Sequence, residues 1–127
     1  MSTATAPGIW AVVPAAGRGT RMGTTVPKQY LPLAGRPVIV HTLERLAAQP
    51  AIDGIVVALA ADDPHWQALA PALSVPLLTV TGGGERCHSV LAALDYLRQA
   101  RPGAAWAMVH DAARPCVHGA DIARLVA

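Results

Sequence analysis

Residues 9–23, IWAVVPAAGRGTRMG, run from an apolar stretch straight into a glycine-rich one. The first five, IWAVV, are short and rich in β-branched residues, and Pro14 and the glycines stop them, so they read as a buried strand. The adjoining residues 15–37 carry Gly17, Gly19, Gly23, Pro27, Pro32, Gly35 and Pro37. That many breakers exclude a continuous element, and a loop of this length inside a compact domain is usually functional.

The rest of the chain alternates helix and strand signals outward from this point. Pro37 suits the first position of a helix whose apolar stripe is Val38, Leu43, Leu46 and Ala47 and which ends near Pro50. Residues 55–59 (IVVAL) read as a second buried strand. Asp62 or Asp63 with Pro64 opens a short helix carrying Trp66 and Leu69, and residues 77–80 (LLTV) form a third strand. Gly82, Gly83 and Gly84 break the chain before a helix over residues 86–99, with Val90, Leu94 and Leu97 on one face. Residues 106–109 (WAMV) make a fourth strand, and a last helix begins around Asp121 and runs to Ala127. Such alternation predicts an α/β fold with a mainly parallel sheet and right-handed crossovers; with strand order 3-2-1-4 the crossover from strand three to strand four passes over strands two and one. Loops leaving the C-terminal strand ends share one edge in such a sheet, so residues 14–28, 82–89 and 110–115 are expected to meet there.

The 127 residues, 53% of them apolar, suffice for one domain, 1–127, with residues 1–8 as a flexible leader. Ten basic and eight acidic side chains leave a net charge of +2 without a run of one sign, which argues against a nucleic-acid face. Lys28 is the only lysine and shares its stretch with Arg18 and Arg21, a local cluster that suits a small anion. Cys87 and Cys116 make no disulfide framework, and with His88 and His118 they do not repeat at zinc-ligand spacing, so both read as reduced thiols. The N-terminus has neither a basic nor an apolar signal region and no apolar run approaches a membrane span, which points to a soluble, cytoplasmic protein.

The glycines after the first strand let the backbone approach phosphates closely. Gly17 and Gly19 begin like a dinucleotide fingerprint, but Met22 stands where the third glycine belongs, and no acidic residue closes the second strand. Lys28 lacks the preceding glycine of a P-loop. Glycines, the basic side chains Arg18, Arg21 and Lys28 and the strand-end position together instead favour anion binding over a merely solvated loop. In the second loop, GGGERCHS, the helix start and Ser89 can contact a base or sugar, or the segment is a plain turn. In the third, HDAARP, Asp111 either caps a turn or, beside several phosphate charges, holds Mg2+. His110 reads as a packed strand-end residue, and His41 and His65 as non-catalytic.

AVVPAAGRGTRMG, PKQYLPLAGRPV, GGGERCHSV and VHDAARP, in this order, resemble the 2-C-methyl-D-erythritol 4-phosphate cytidylyltransferase family over nearly the whole chain. The resemblance implies a Rossmann-like three-layer sandwich and transfer of CMP from CTP to methylerythritol phosphate in non-mevalonate isoprenoid biosynthesis. By position it implies Arg21 and Lys28 as catalytic cations on the triphosphate. Ala15, Ala16 and Gly17 would wrap the nucleotide, Gly83, Gly84 and Ser89 contact cytosine, Ala112 lie against the ribose, and Asp111 hold Mg2+. Gly84 stands where the family often has aspartate, so only a backbone contact survives there, and the role of Arg114 stays open. The resemblance also implies a homodimer, no nucleic acid or membrane partner, and about as much chain again beyond Ala127 carrying most of the acceptor site. A cytidylyltransferase for another polyol phosphate, such as ribitol 5-phosphate, and a non-catalytic nucleotide-binding module are the alternatives.

Overall fold

The computed structural model describes residues 8–16, 28–61, 63–69, 73–101 and 104–112. Residues 1–7, the last helix from Asp121, Cys116 and His118 lie outside this range. The first strand, β1 (Gly8–Ala15), is followed by a 3-10 turn, Lys28–Tyr30, and two short strands, β2 (Pro32–Leu33) and β3 (Arg36–Pro37). Then come α1 (Val38–Ala47), β4 (Gly54–Leu59), α2 (Pro64–Leu69), β5 (Leu77–Thr81), α3 (Arg86–Ala100) and β6 (Ala104–Val109). The four long strands form one parallel sheet in the order β5-β4-β1-β6, which is the expected 3-2-1-4.

Successive side chains of a strand point to opposite faces, and both faces of this sheet are covered. Ala11, Val13, Ile55 and Val57 pack with Ile39, Leu43 and Leu46 of α1, joined by Trp66 and Leu69 of α2. Trp10, Val12 and Val56 pack with Ala93 and Leu97 of α3 on the other face. Because β4 is central and covered twice, all six of its residues are buried, and a continuous apolar run results rather than an alternation. The Trp10 indole lies so close over the start of β4 that a Cβ on Gly54 would collide with it, and the Arg101 guanidinium sits 5.6 Å from its ring centroid. β6 is an edge of the described sheet and leaves Trp106 63% exposed.

Four local expectations are corrected. Pro14 does not stop β1, which runs on to Ala15 in register with Leu59. Backbone groups alternate sides along a strand, so Pro14, like Val12, addresses β6, where pairing ends at Val12 and no donor is needed. The segment before α1 is not all loop. Ala34 (φ 53°) and Gly35 (φ 81°) make the two-residue turn of the β2–β3 hairpin, with positive φ at both central positions. Pro37 is the residue before α1 rather than its first member, and Ile39 and Thr42 join the buried face while Val38 is only half-buried. On α3 the buried face is Ser89, Ala93 and Leu97, and Leu94 is exposed. Small residues on that stripe let the helix settle close on the sheet, which a rule seeking large apolar residues overlooks.

Candidate functional site

The C-terminal ends of the strands gather three chain segments, each held by buried hydrogen bonds. β1 ends at Ala15, which is buried, and Ala16 follows half-buried. The buried Gln29 donates from Nε2 to the Ala15 carbonyl at 2.9 Å, so the glycine-rich loop returns beside the strand end from which it departs. Tyr30, also buried, donates from its hydroxyl to Asp63 Oδ2 at 2.6 Å and stacks on His65 with ring centroids 5.0 Å apart. Asp63 in turn accepts at Oδ1 from the backbone N–H groups of His65 (3.0 Å) and Trp66 (3.1 Å), capping α2. Burial first, and then the hydrogen bond and charge of Asp63, push the Tyr30 phenol well above its usual range, so it remains a proton donor. Lys28 therefore precedes two fixed anchors.

The second segment leaves β5 and steps inward. The Gly82 N–H donates to Leu59 O at 2.7 Å, carrying the chain across the end of β4. A Cβ on Gly82 would lie 2.5 Å from Ser89 Oγ and 2.9 Å from Ala16 Cβ. Gly82 is thus where the first loop, the second loop and the first turns of α3 touch, and only a glycine fits. Ser89 lies beneath this junction at 2% exposure, Gly83 is packed against His88, and Gly84 sits exposed with open space around it. Among the described residues, no side chain caps the N-terminus of α3.

The third segment leaves β6. The His110 N–H donates to Val12 O at 2.9 Å, extending the pairing with β1 past the strand, and half-buried Asp111 follows. Ala112 is buried, and its carbonyl accepts from Thr42 Oγ1 of α1 at 2.9 Å. Thr42→Val removes that donor and leaves a buried carbonyl unpaired, a cost of about 1–3 kcal/mol. Urea denaturation of Thr42→Val and Thr42→Ser should show the loss in the first and its recovery in the second.

Ala15, Ala16 and Ser89 are therefore brought together around Gly82, with Gly83 and Gly84 on the same turn and Asp111 and Ala112 at the neighbouring strand end. Gly17, Arg18, Arg21 and Arg114 lie outside the described residues, as does the side chain of Lys28. His41 holds the hairpin, its Nε2 lying 2.6 Å from Leu33 O, and His65 serves as the stacking partner of Tyr30. Sequence reasoning does not single out Gln29, Tyr30, Thr42, Asp63 or Gly82 for a part in the site. PKQY signals the first two only as a motif, and no spacing rule links Thr42 to a carbonyl 70 residues away. A cleft of about 350 Å³ opens between β4, β5 and α2, lined by Asp63, Trp66 and Thr81 among others, and includes none of the residues expected to bind nucleotide.

A family model described as IspD, 2-C-methyl-D-erythritol 4-phosphate cytidylyltransferase, matches residues 9–127. The chain belongs to this family. The cytidylyltransferase of that name from Shewanella amazonensis is 54% identical over 119 residues, covering 94% of this chain and 49% of the relative. Its counterpart from Xylella fastidiosa strain 9a5c is 51% identical over 119 residues, covering 94% of this chain and 52% of the relative. A crystal structure of 4-diphosphocytidyl-2C-methyl-D-erythritol synthase superposes with a TM-score of 0.79 at 26% identity, covering 95% of this chain and 53% of that one. The chain thus spans about half the length of the cytidylyltransferases it matches. The parallel α/β sheet with its helices is the fold of this family.

Proposed function

We propose that the full-length protein transfers CMP from CTP to 2-C-methyl-D-erythritol 4-phosphate, giving CDP-methylerythritol and pyrophosphate. The observation that carries this reading is the junction of Ala16, Gly82 and Ser89 beside the end of β6, in a chain of the cytidylyltransferase family. Backbone amides at glycine-rich strand ends suit a nucleotide, and tight packing at Gly82 holds them in register.

The acceptor phosphate oxygen attacks the α-phosphorus of CTP in line. A phosphate monoester is already largely ionised near neutral pH, so the step requires no general base from the protein. Charge builds on the α-phosphoryl oxygens and on the leaving pyrophosphate. Lys28 and Arg21 are assigned to neutralise it. Ala15, Ala16 and Gly17 line the nucleotide, Gly83, Gly84 and Ser89 address cytosine, and Ala112 meets the ribose. Mg2+ prefers oxygen donors and takes only one or two carboxylates when phosphates supply the rest. Half-buried Asp111, anchored between β1 and α1, fits that donor set and would hold the ion. When bound, the ion adds positive charge against the phosphates. The reading extends to a cytoplasmic homodimer. The exposure of Trp106 on edge strand β6 supports further chain packing there in the full-length protein.

Calorimetry with CTP, UTP, ATP and NAD should show heat of binding for CTP above the others. Equal affinity for NAD would contradict the reading. Asp111→Asn should shift the Mg2+ titration of activity to higher concentration, because a neutral amide is a poorer partner for a hard cation. An unchanged midpoint and rate would make Asp111 a turn cap.

A further inference from the structure

Three donor side chains of different chemistry meet where α3 begins. A Glu85 carboxylate oxygen, Cys87 Sγ and a His88 imidazole nitrogen lie within 4.8 Å of one another, and all three residues are exposed. Their sequence spacing matches no usual ligand pair, so the cluster is visible only in the fold. Glu85 is extended (φ −123°, ψ 161°) just ahead of the first turn that carries Cys87 and His88, and the change of direction brings its carboxylate alongside them. The Cβ of His88 packs against Gly83, closer than a side chain at 83 would permit, so the ring's base is fixed against the glycine loop.

We propose that Glu85, Cys87 and His88 form a binding site for a borderline-soft divalent transition metal of the Zn2+ class. A thiolate and an imidazole select such ions over Mg2+, which seeks oxygen donors alone, so this site is chemically distinct from the one assigned to Asp111. Three protein ligands plus water complete the tetrahedral set of an open zinc site. Bonds of about 2.0–2.3 Å place tetrahedral ligands about 3.3–3.8 Å apart. The three ligand atoms, all within 4.8 Å of one another, reach that range by closing at most about 1.5 Å, which side-chain rotation of exposed residues supplies. The N-terminal end of a helix is positive and Arg86 adds a charge, both opposing a cation. Carboxylate and thiolate together bring two negative charges, enough to neutralise the ion. Once bound, it bridges Glu85 to His88 and closes the turn beside Gly83 into a ring.

The test uses tag-free full-length protein, kept reduced, with Co2+ as the spectroscopic probe. One equivalent of Co2+ should give a thiolate-to-metal charge-transfer band that Zn2+ displaces and excess Mg2+ does not. Cys87→Ser should abolish the band and Cys116→Ser should leave it. His88→Ala and Glu85→Gln should each weaken binding by at least the roughly tenfold that even a supporting residue of a metal site costs. These side chains are exposed, so thermal melts of the metal-free variants should match the parent. Absence of the band, its persistence in Cys87→Ser, or its displacement by Mg2+ would overturn the proposal.

Discussion

Replacing Lys28 by Gln in the full-length protein is expected to lower kcat by about 100-fold to 1,000-fold while leaving the KM for CTP within a few-fold. Lys28 opens a 3-10 turn whose next two residues are locked, Gln29 to the Ala15 carbonyl and Tyr30 to Asp63. A glutamine at 28 retains those anchors and most of the side-chain length, so the variant isolates the loss of one positive charge. That charge is worth most when negative charge builds on the α-phosphoryl oxygens and pyrophosphate, and less in the ground state, where water and other cations share the triphosphate. Steady-state kinetics with both substrates varied separate the two. A rise confined to KM would assign Lys28 to binding rather than to the transition state.

The second large effect is structural in origin. Gly82→Val should destabilise the protein by about 1–3 kcal/mol, the usual cost of overpacking, and abolish measurable CTP binding. Its Cβ alone would stand 2.5 Å from Ser89 Oγ and 2.9 Å from Ala16 Cβ. Neither neighbour can retreat easily, since Ser89 is buried on α3 and Ala16 follows directly from the central strand β1. Relief would have to come from moving the second loop off the first, which separates the surfaces assigned to base and phosphate. Gly84 supplies the control, because a Cβ there meets nothing within 4 Å. Gly84→Ala should change stability by no more than about 0.5 kcal/mol. Chemical denaturation and calorimetry on both variants check the pair of claims, and a Gly82→Val protein as stable as the parent would contradict them.

The strands are legible in the sequence because burial on both faces writes itself as apolar runs: residues 55–59 need only Gly54 added to become β4. Their order is not legible in those runs, because crossover handedness is equally compatible with other orders, and the pairing in the fold is what gives 3-2-1-4. Boundaries governed by one hydrogen bond are less legible. Pro14 looks like a stop until β6 is known to end its pairing at Val12, and Ala34 hides a turn usually signalled by Asn or Asp before glycine. The α3 face is misread when large residues are weighed above Ser89 and Ala93, whose smallness is what the packing uses. At the site, motifs alone mark Ala15, Ala16, Gly83, Gly84, Ser89, Asp111 and Ala112. Thr42, Asp63 and Gly82 act on residues far away in sequence, and a hydroxyl in a helix or a first glycine among three carries no local mark of that duty.

Pyrophosphate release from CTP and Mg2+ by the full-length protein, compared among 2-C-methyl-D-erythritol 4-phosphate, ribitol 5-phosphate and no acceptor, tests the assigned reaction most directly. The expected result is release that depends on methylerythritol phosphate, is lost when UTP or ATP replaces CTP, and yields stoichiometric CDP-methylerythritol. Release that proceeds equally without an acceptor, or that favours ribitol 5-phosphate, would contradict it.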